Sequence, residues 1–98
     1  MKRFVQIEFH DYMDLHPTVD TRVFSGEDEE SLNKAVNEFV EHMKSHWCSG
    51  TTRLIGILTK EDARAFINEQ IAHEKANWQE DSQEFIDRIE KAYRESYE

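Results

Sequence analysis

A single cysteine, Cys48, excludes any disulfide within the chain, and with it the disulfide-stapled class of small secreted domains. There is one proline, Pro17, and only three glycines, so neither a flexible linker nor a glycine-rich phosphate-binding loop is available. Gly26, Gly50 and Gly56 stand apart, each expected at a turn or a close backbone approach. The longest unbroken run of apolar residues and glycine is Leu54–Leu58, far below the length of a membrane span. The N-terminal MKRFVQIEFHDY alternates instead of running apolar, so it does not read as a signal peptide, and the expected compartment is the cytoplasm. Basic residues are also scarce. Twelve Lys and Arg face 21 Asp and Glu, a formal charge of −9 in 98 residues. Such a chain repels nucleic acid and anionic membranes and attracts basic protein surfaces.

The excess of acid is uneven. Residues 25–50 hold six acids and two bases, and residues 61–98 hold eleven and five, whereas residues 51–60 hold two bases and no acid. Hydrophobic content is 38%, with six Phe, three Tyr and two Trp, enough for one small core. The expected organisation is a single domain over residues 1–98, with self-association a plausible supplement to limited burial.

Periodicity gives the elements. In residues 3–10, Val5, Ile7 and Phe9 alternate with Gln6, Glu8 and His10, the pattern of a half-buried strand. Asp11–Thr18 reads as a loop, and residues 19–24 as a second strand. Ser25 with Asp28 matches a capping box, and Glu27, Asp28, Glu29 and Glu30 place four acids where the helix dipole favours them. Leu32, Val36, Phe39, Val40, Met43 and Trp47 then predict a first helix over about 27–47. Residues 52–59 predict a third strand with Leu54 and Leu58 on one face and Ile55 and Ile57 on the other, a pattern that suits a central or doubly covered strand. Thr59 with Asp62 is a second capping box, opening a helix with Ala63, Phe66, Ile67 and Ile71 as its stripe. Phe85, Ile86, Ile89, Tyr93 and Tyr97 follow, so residues 60–98 form one long helix or two joined near Trp78–Ser82. The fold class is α+β, ββαβα(α): a small three-stranded mixed sheet with the first helix on one face. A right-handed crossover makes the second and third strands parallel.

Motifs for chemistry are sparse. His42 and His46 project from one helix face and Cys48 follows, the basis of a metal-dependent sensor or enzyme. Two histidines fall short of the three or four ligands zinc needs, so the simpler reading is a solvated helix edge with Trp47 as core anchor. Cys48 lacks the electropositive setting that activates a thiolate and reads as a half-buried structural cysteine. No metal, cofactor or catalytic residue is assigned, and the chain is expected not to be an enzyme. Trp78, Tyr93 and Tyr97, large groups on a polar segment, support the alternative of an oligomeric assembly protein, a homodimer included.

The acidic surface remains. Its two clusters are Glu27, Asp28, Glu29 and Glu30, and Glu80, Asp81, Glu84, Asp87 and Glu90. Carboxylates four apart on a helix are about 6 Å apart along its axis. Successive phosphates on a DNA strand advance about 3.4 Å along the duplex axis and lie farther apart through space. Acids at i and i+4 therefore approximate a phosphate row.

In these clusters, in its size and in its α+β pattern, the chain resembles the small acidic host-takeover proteins of phages that imitate DNA, the HU inhibitors of lytic Bacillus phages included. The resemblance is one of size, charge and style over the whole chain. It implies an inhibitor of a basic nucleic-acid-binding protein, HU or another, acting in the host cytoplasm. It implies no direct contact with nucleic acid or membrane.

Overall fold

A computed structural model describes residues 1–77 and 82–98, and the chain divides into two compact units, Met1–Ile57 and Leu58–Glu98. The first contains β1 (Lys2–Asp11), β2 (Thr18–Ser25), α1 (Glu29–His46) and β3 (Gly50–Ile57). The second contains α2 (Lys60–Asn77) and α3 (Ser82–Tyr97). The ββαβαα order is the expected α+β architecture.

In the first unit the sheet order is β2-β1-β3, and β1 is antiparallel to both neighbours. β2 and β3 therefore run in the same direction, as the crossover requires, but β1 lies between them. Both ladders are thus antiparallel, where a mixed sheet was expected, and β3 is an edge strand, where its pattern suggested a central one. The cause is the inserted β1, whose Val5 and Ile7 are buried completely while Leu54, Ile55 and Ile57 of β3 stay exposed. Alternation along β1 aims Val5, Ile7 and Phe9 at α1. There Val5 and Ile7 form a core with Val36 and Val40, with Phe9, Phe24 and Phe39 packed around it. Phe24 meets Phe39 edge-on at 5.5 Å between ring centres, and Phe9 meets Trp47 likewise at 6.0 Å.

The register of β3 shifts by one residue opposite Gln6 and Ile7. Val5 pairs with Ile57 and Ile7 with Leu54, so Leu54 and Ile57 share the α1 face instead of lying on opposite faces. A bulge inserts one residue and so reverses the alternation beyond it. Gly56, at φ +157°, supplies backbone freedom beside the bulge, and an added Cβ would meet open space, so its role is conformational and not close approach. Gly50 is the converse: a Cβ there would strike the Trp47 ring and the His10 carbonyl.

The loop between β1 and β2 is organised by Asp11, whose Oδ1 accepts from the Met13 amide at 2.9 Å and whose carbonyl accepts from the Asp14 amide at 3.0 Å. In the second unit, Thr59 Oγ1 accepts from the Asp62 amide at 3.1 Å, the expected cap of α2. Ala63 and Ile67 are buried, and Phe66 and Ile71 half-buried. The C-terminal segment is two helices, not one, and they pack on each other. Arg64 reaches Glu90, and Tyr97 reaches Leu58, so α3 runs antiparallel to α2.

Candidate partner-binding surface

The first acidic cluster is set by how α1 begins. Asp28, not Ser25, is the N-cap: its backbone is extended, and its Oδ1 accepts from the Ser31 amide at 2.8 Å. That bond holds the Asp28 carboxyl below the usual aspartate range. The Ser25 capping box does not form, since the helix starts only at Glu29, and Gly26 sits tightly between, where a Cβ would lie 2.5 Å from the Leu32 amide nitrogen. Asp28 is therefore occupied in starting the helix, while Glu27, Glu29 and Glu30 are exposed.

From Glu30 the acidic face continues farther than the sequence clusters suggested. Glu30, Asn33, Lys34, Asn37, Glu38 and Glu41 line one shallow, solvent-facing strip of α1. Their spacing of three and four residues stacks them on one side of the helix. Glu30 to Glu38 spans about 12 Å along the axis. Lys34 interrupts the strip, and Lys44 approaches Glu41 at 3.4 Å. Glu38 and Glu41 were missed as site residues because they stand singly in the sequence. The same 3.6-residue period that defines the buried stripe Leu32, Val36 and Val40 identifies the opposite face.

The second cluster separates on inspection. Glu80 and Asp81 lie outside the described residues. Glu84 and Asp87 are exposed on α3, with Asp87 accepting from Gln83 Nε2 at 2.8 Å. Glu90 does not belong with them. It turns toward α2 and accepts from both terminal guanidinium nitrogens of Arg64 at 2.8 Å. The hydrogen-bonded Arg64 holds the Glu90 carboxyl below the usual glutamate range. The sequence could not show this, because the two residues are 26 apart and meet only when the helices fold back.

His42 and His46 do share one face, with rings stacked at 4.1 Å, and His46 Nδ1 donates to the His42 carbonyl at 2.9 Å. Among the described residues, no group of three or more His, Cys, Asp or Glu side chains is placed to hold a metal ion. Cys48 is exposed, not half-buried, because it sits in the turn after α1 while Trp47 folds inward over Gly50. Tyr93 and Tyr97 stack at 5.6 Å, Arg64 lies over Tyr93 at 5.3 Å, and the Tyr97 hydroxyl donates to the Leu58 carbonyl at 2.8 Å. Their bulk is thus used inside the second unit, and Trp78 lies outside the described residues. Among the described residues, no helix is long and apolar enough to cross a membrane.

No family model, curated protein or solved structure matches this chain.

Proposed function

We propose that this protein is a non-enzymatic binding protein that imitates DNA, covering the nucleic-acid-binding surface of a basic host protein such as HU and displacing DNA from it. The observation that carries this reading is the distribution of exposed carboxylates along helix faces: Glu27, Glu29, Glu30 and Glu38 at α1, and Glu84 and Asp87 on α3. All but Glu27, which stands just before the Asp28 cap, lie on a regular helix, so their charge is presented at a repeated spacing. Asp28 and Glu90 drop out of the contact set, since capping and the Arg64 pair already occupy them. A basic surface that accepted such rows would release its own counter-anions, and exposed charges are screened beyond about 8 Å at physiological ionic strength.

The test is competition. The protein is titrated into HU bound to labelled duplex DNA at low and high salt. Two charge-reversal variants are compared, Glu29→Lys/Glu30→Lys/Glu38→Lys and Glu84→Lys/Asp87→Lys. Wild type should release the DNA and lose that ability as salt rises. At least one variant should lose it at low salt with its circular dichroism unchanged, and Asp-for-Glu exchange at the same positions should do far less. DNA release that ignores both salt and charge reversal, or no release from HU or other basic DNA-binding proteins, overturns the reading.

A further inference from the structure

We propose that β3 is a self-association edge, on which a second copy of this chain adds its own β3 antiparallel to form a continuous six-stranded sheet. This goes beyond the acidic surface and does not depend on which partner that surface takes. Among the described residues, β3 pairs with β1 on one side only, and no strand pairs with the backbone groups of its other side. Such an edge is a template for another strand unless the protein blunts it.

The side chains favour occupancy. Leu54, Ile55 and Ile57 are 36%, 43% and 37% exposed, three large apolar groups within four residues. Leu54 and Ile57 lie on the α1 face at its margin, where α1 covers them only in part. Antiparallel pairing of two identical strands places the two-fold axis perpendicular to the sheet, so α1 and its copy land on the same face. The two β1 strands are then three strand spacings apart, about 14 Å. A helix is about 10 Å across, so the two helices flank a narrow trough. The floor of that trough is Leu54 and Ile57 of each copy, which cover one another.

Charge selects a second copy as the occupant. Two chains of −9 repel each other over most of their surfaces. Residues 42–60 hold no Asp or Glu at all, the longest such run in the chain, and β3 lies within it. Its one charge, Arg53, is matched by Glu8 across the ladder at 3.0 Å. The opposite edge, β2, contains Asp20, follows Asp14 and Pro17, and runs into Glu27–Glu30. A basic partner is drawn to the acidic helices and away from β3. A second copy meets least repulsion at β3, and a two-fold edge pairing is complementary to itself by construction.

Sedimentation equilibrium of the full chain over a wide concentration range tests this, together with hydrogen exchange of the Gly50–Ile57 amides. Wild type should be a dimer at high concentration, with exchange in β3 slowing as the dimer forms. Leu54→Lys/Ile55→Lys should weaken dimerisation at least about tenfold, through apposed like charges at the seam. Val19→Lys/Val23→Lys on β2 should leave it intact. A monomer at every concentration, a dimer indifferent to Leu54→Lys/Ile55→Lys, loss of the dimer in the β2 variant alone, or β3 exchange independent of concentration would each overturn the proposal. If the β3 variant does not fold, concentration-dependent exchange in the wild type decides by itself.

Discussion

The two units carry similar charge but hold themselves together differently. Residues 1–57 contain ten acids and six bases, and residues 58–98 eleven and six. In the first unit, a sheet face and a helix close on aliphatic side chains, Val5, Ile7, Val36 and Val40, with aromatic rings around them. In the second, the apolar stripe of α2 is weak, and the hairpin is tied at one end by a bidentate ion pair, a guanidinium over a ring, a tyrosine stack and a phenol-to-carbonyl bond. A sheet buries a whole face against one helix, whereas two isolated helices share only a narrow seam. The second unit therefore supplements apolar burial with directional contacts, and the Arg64–Glu90 pair between its two helices makes that packing sensitive to pH.

That contrast can be broken in three places. The largest effect is expected at Ile7, which is fully buried at the centre of the first unit. Ile7→Ala should cost about 3 kcal/mol through lost burial and the cavity left behind. Urea denaturation followed by circular dichroism measures it. A loss below about 1 kcal/mol would mean that the core closes over the gap and is looser than its burial implies.

The second effect concerns Glu90 and sharpens the pH argument. Its carboxyl is held below the ordinary glutamate range in the folded state, mainly by the Arg64 hydrogen bonds. The pair's stabilisation is therefore present above the unfolded glutamate pKa and is lost as pH falls through the lower folded value. Glu90→Gln should reduce stability at pH 7 by up to about 1 kcal/mol, because the pair is partly open to solvent. The gap between variant and wild type should close in acid. Equal destabilisation at pH 7 and in strong acid would show that shape, and not charge, holds the hairpin at this point.

The smallest effect runs the other way. Thr52 is buried on β3 opposite Phe9, and its hydroxyl has no hydrogen-bond partner among the described residues. Thr52→Val keeps the branched shape and removes an unsatisfied polar group, so the melting temperature should rise, by a gain of about 0.5 kcal/mol. A fall would reveal that the hydroxyl has a partner in solution and that the first unit is less dry than its aliphatic centre suggests.

Much of this architecture was legible in local pattern. The Val5–Ile7–Phe9 alternation, the Leu32–Val36–Val40 stripe, the Thr59 cap and the Phe85-to-Tyr97 stripe each appear where periodicity placed them, because 2.0- and 3.6-residue periods follow from backbone geometry. The failures are also local in origin. Two residue types that cap well, Ser25 and Asp28, stand near one helix start, and it is Asp28 that accepts from the Ser31 amide. The apolar pattern of β3 predicted a covered strand, and periodicity cannot register a bulge that puts Leu54 and Ile57 on the same face. For the candidate surface, charge content was visible in the chain, but which carboxylates remain free was not. Asp28 and Glu90 look like their neighbours in sequence and differ only in what meets them.

The sequence by itself determined the elements, their apolar faces and the excess of acid, since each follows from residue type and spacing along a single segment. Only the tertiary structure decided that β1 lies between β2 and β3, that β3 is an edge, that the last helix folds back on α2, and that Arg64 takes Glu90 out of the acidic row. The physical reason is the same in each case: strand order, edge position and ion pairing depend on contacts between residues distant in sequence, and no local period encodes them.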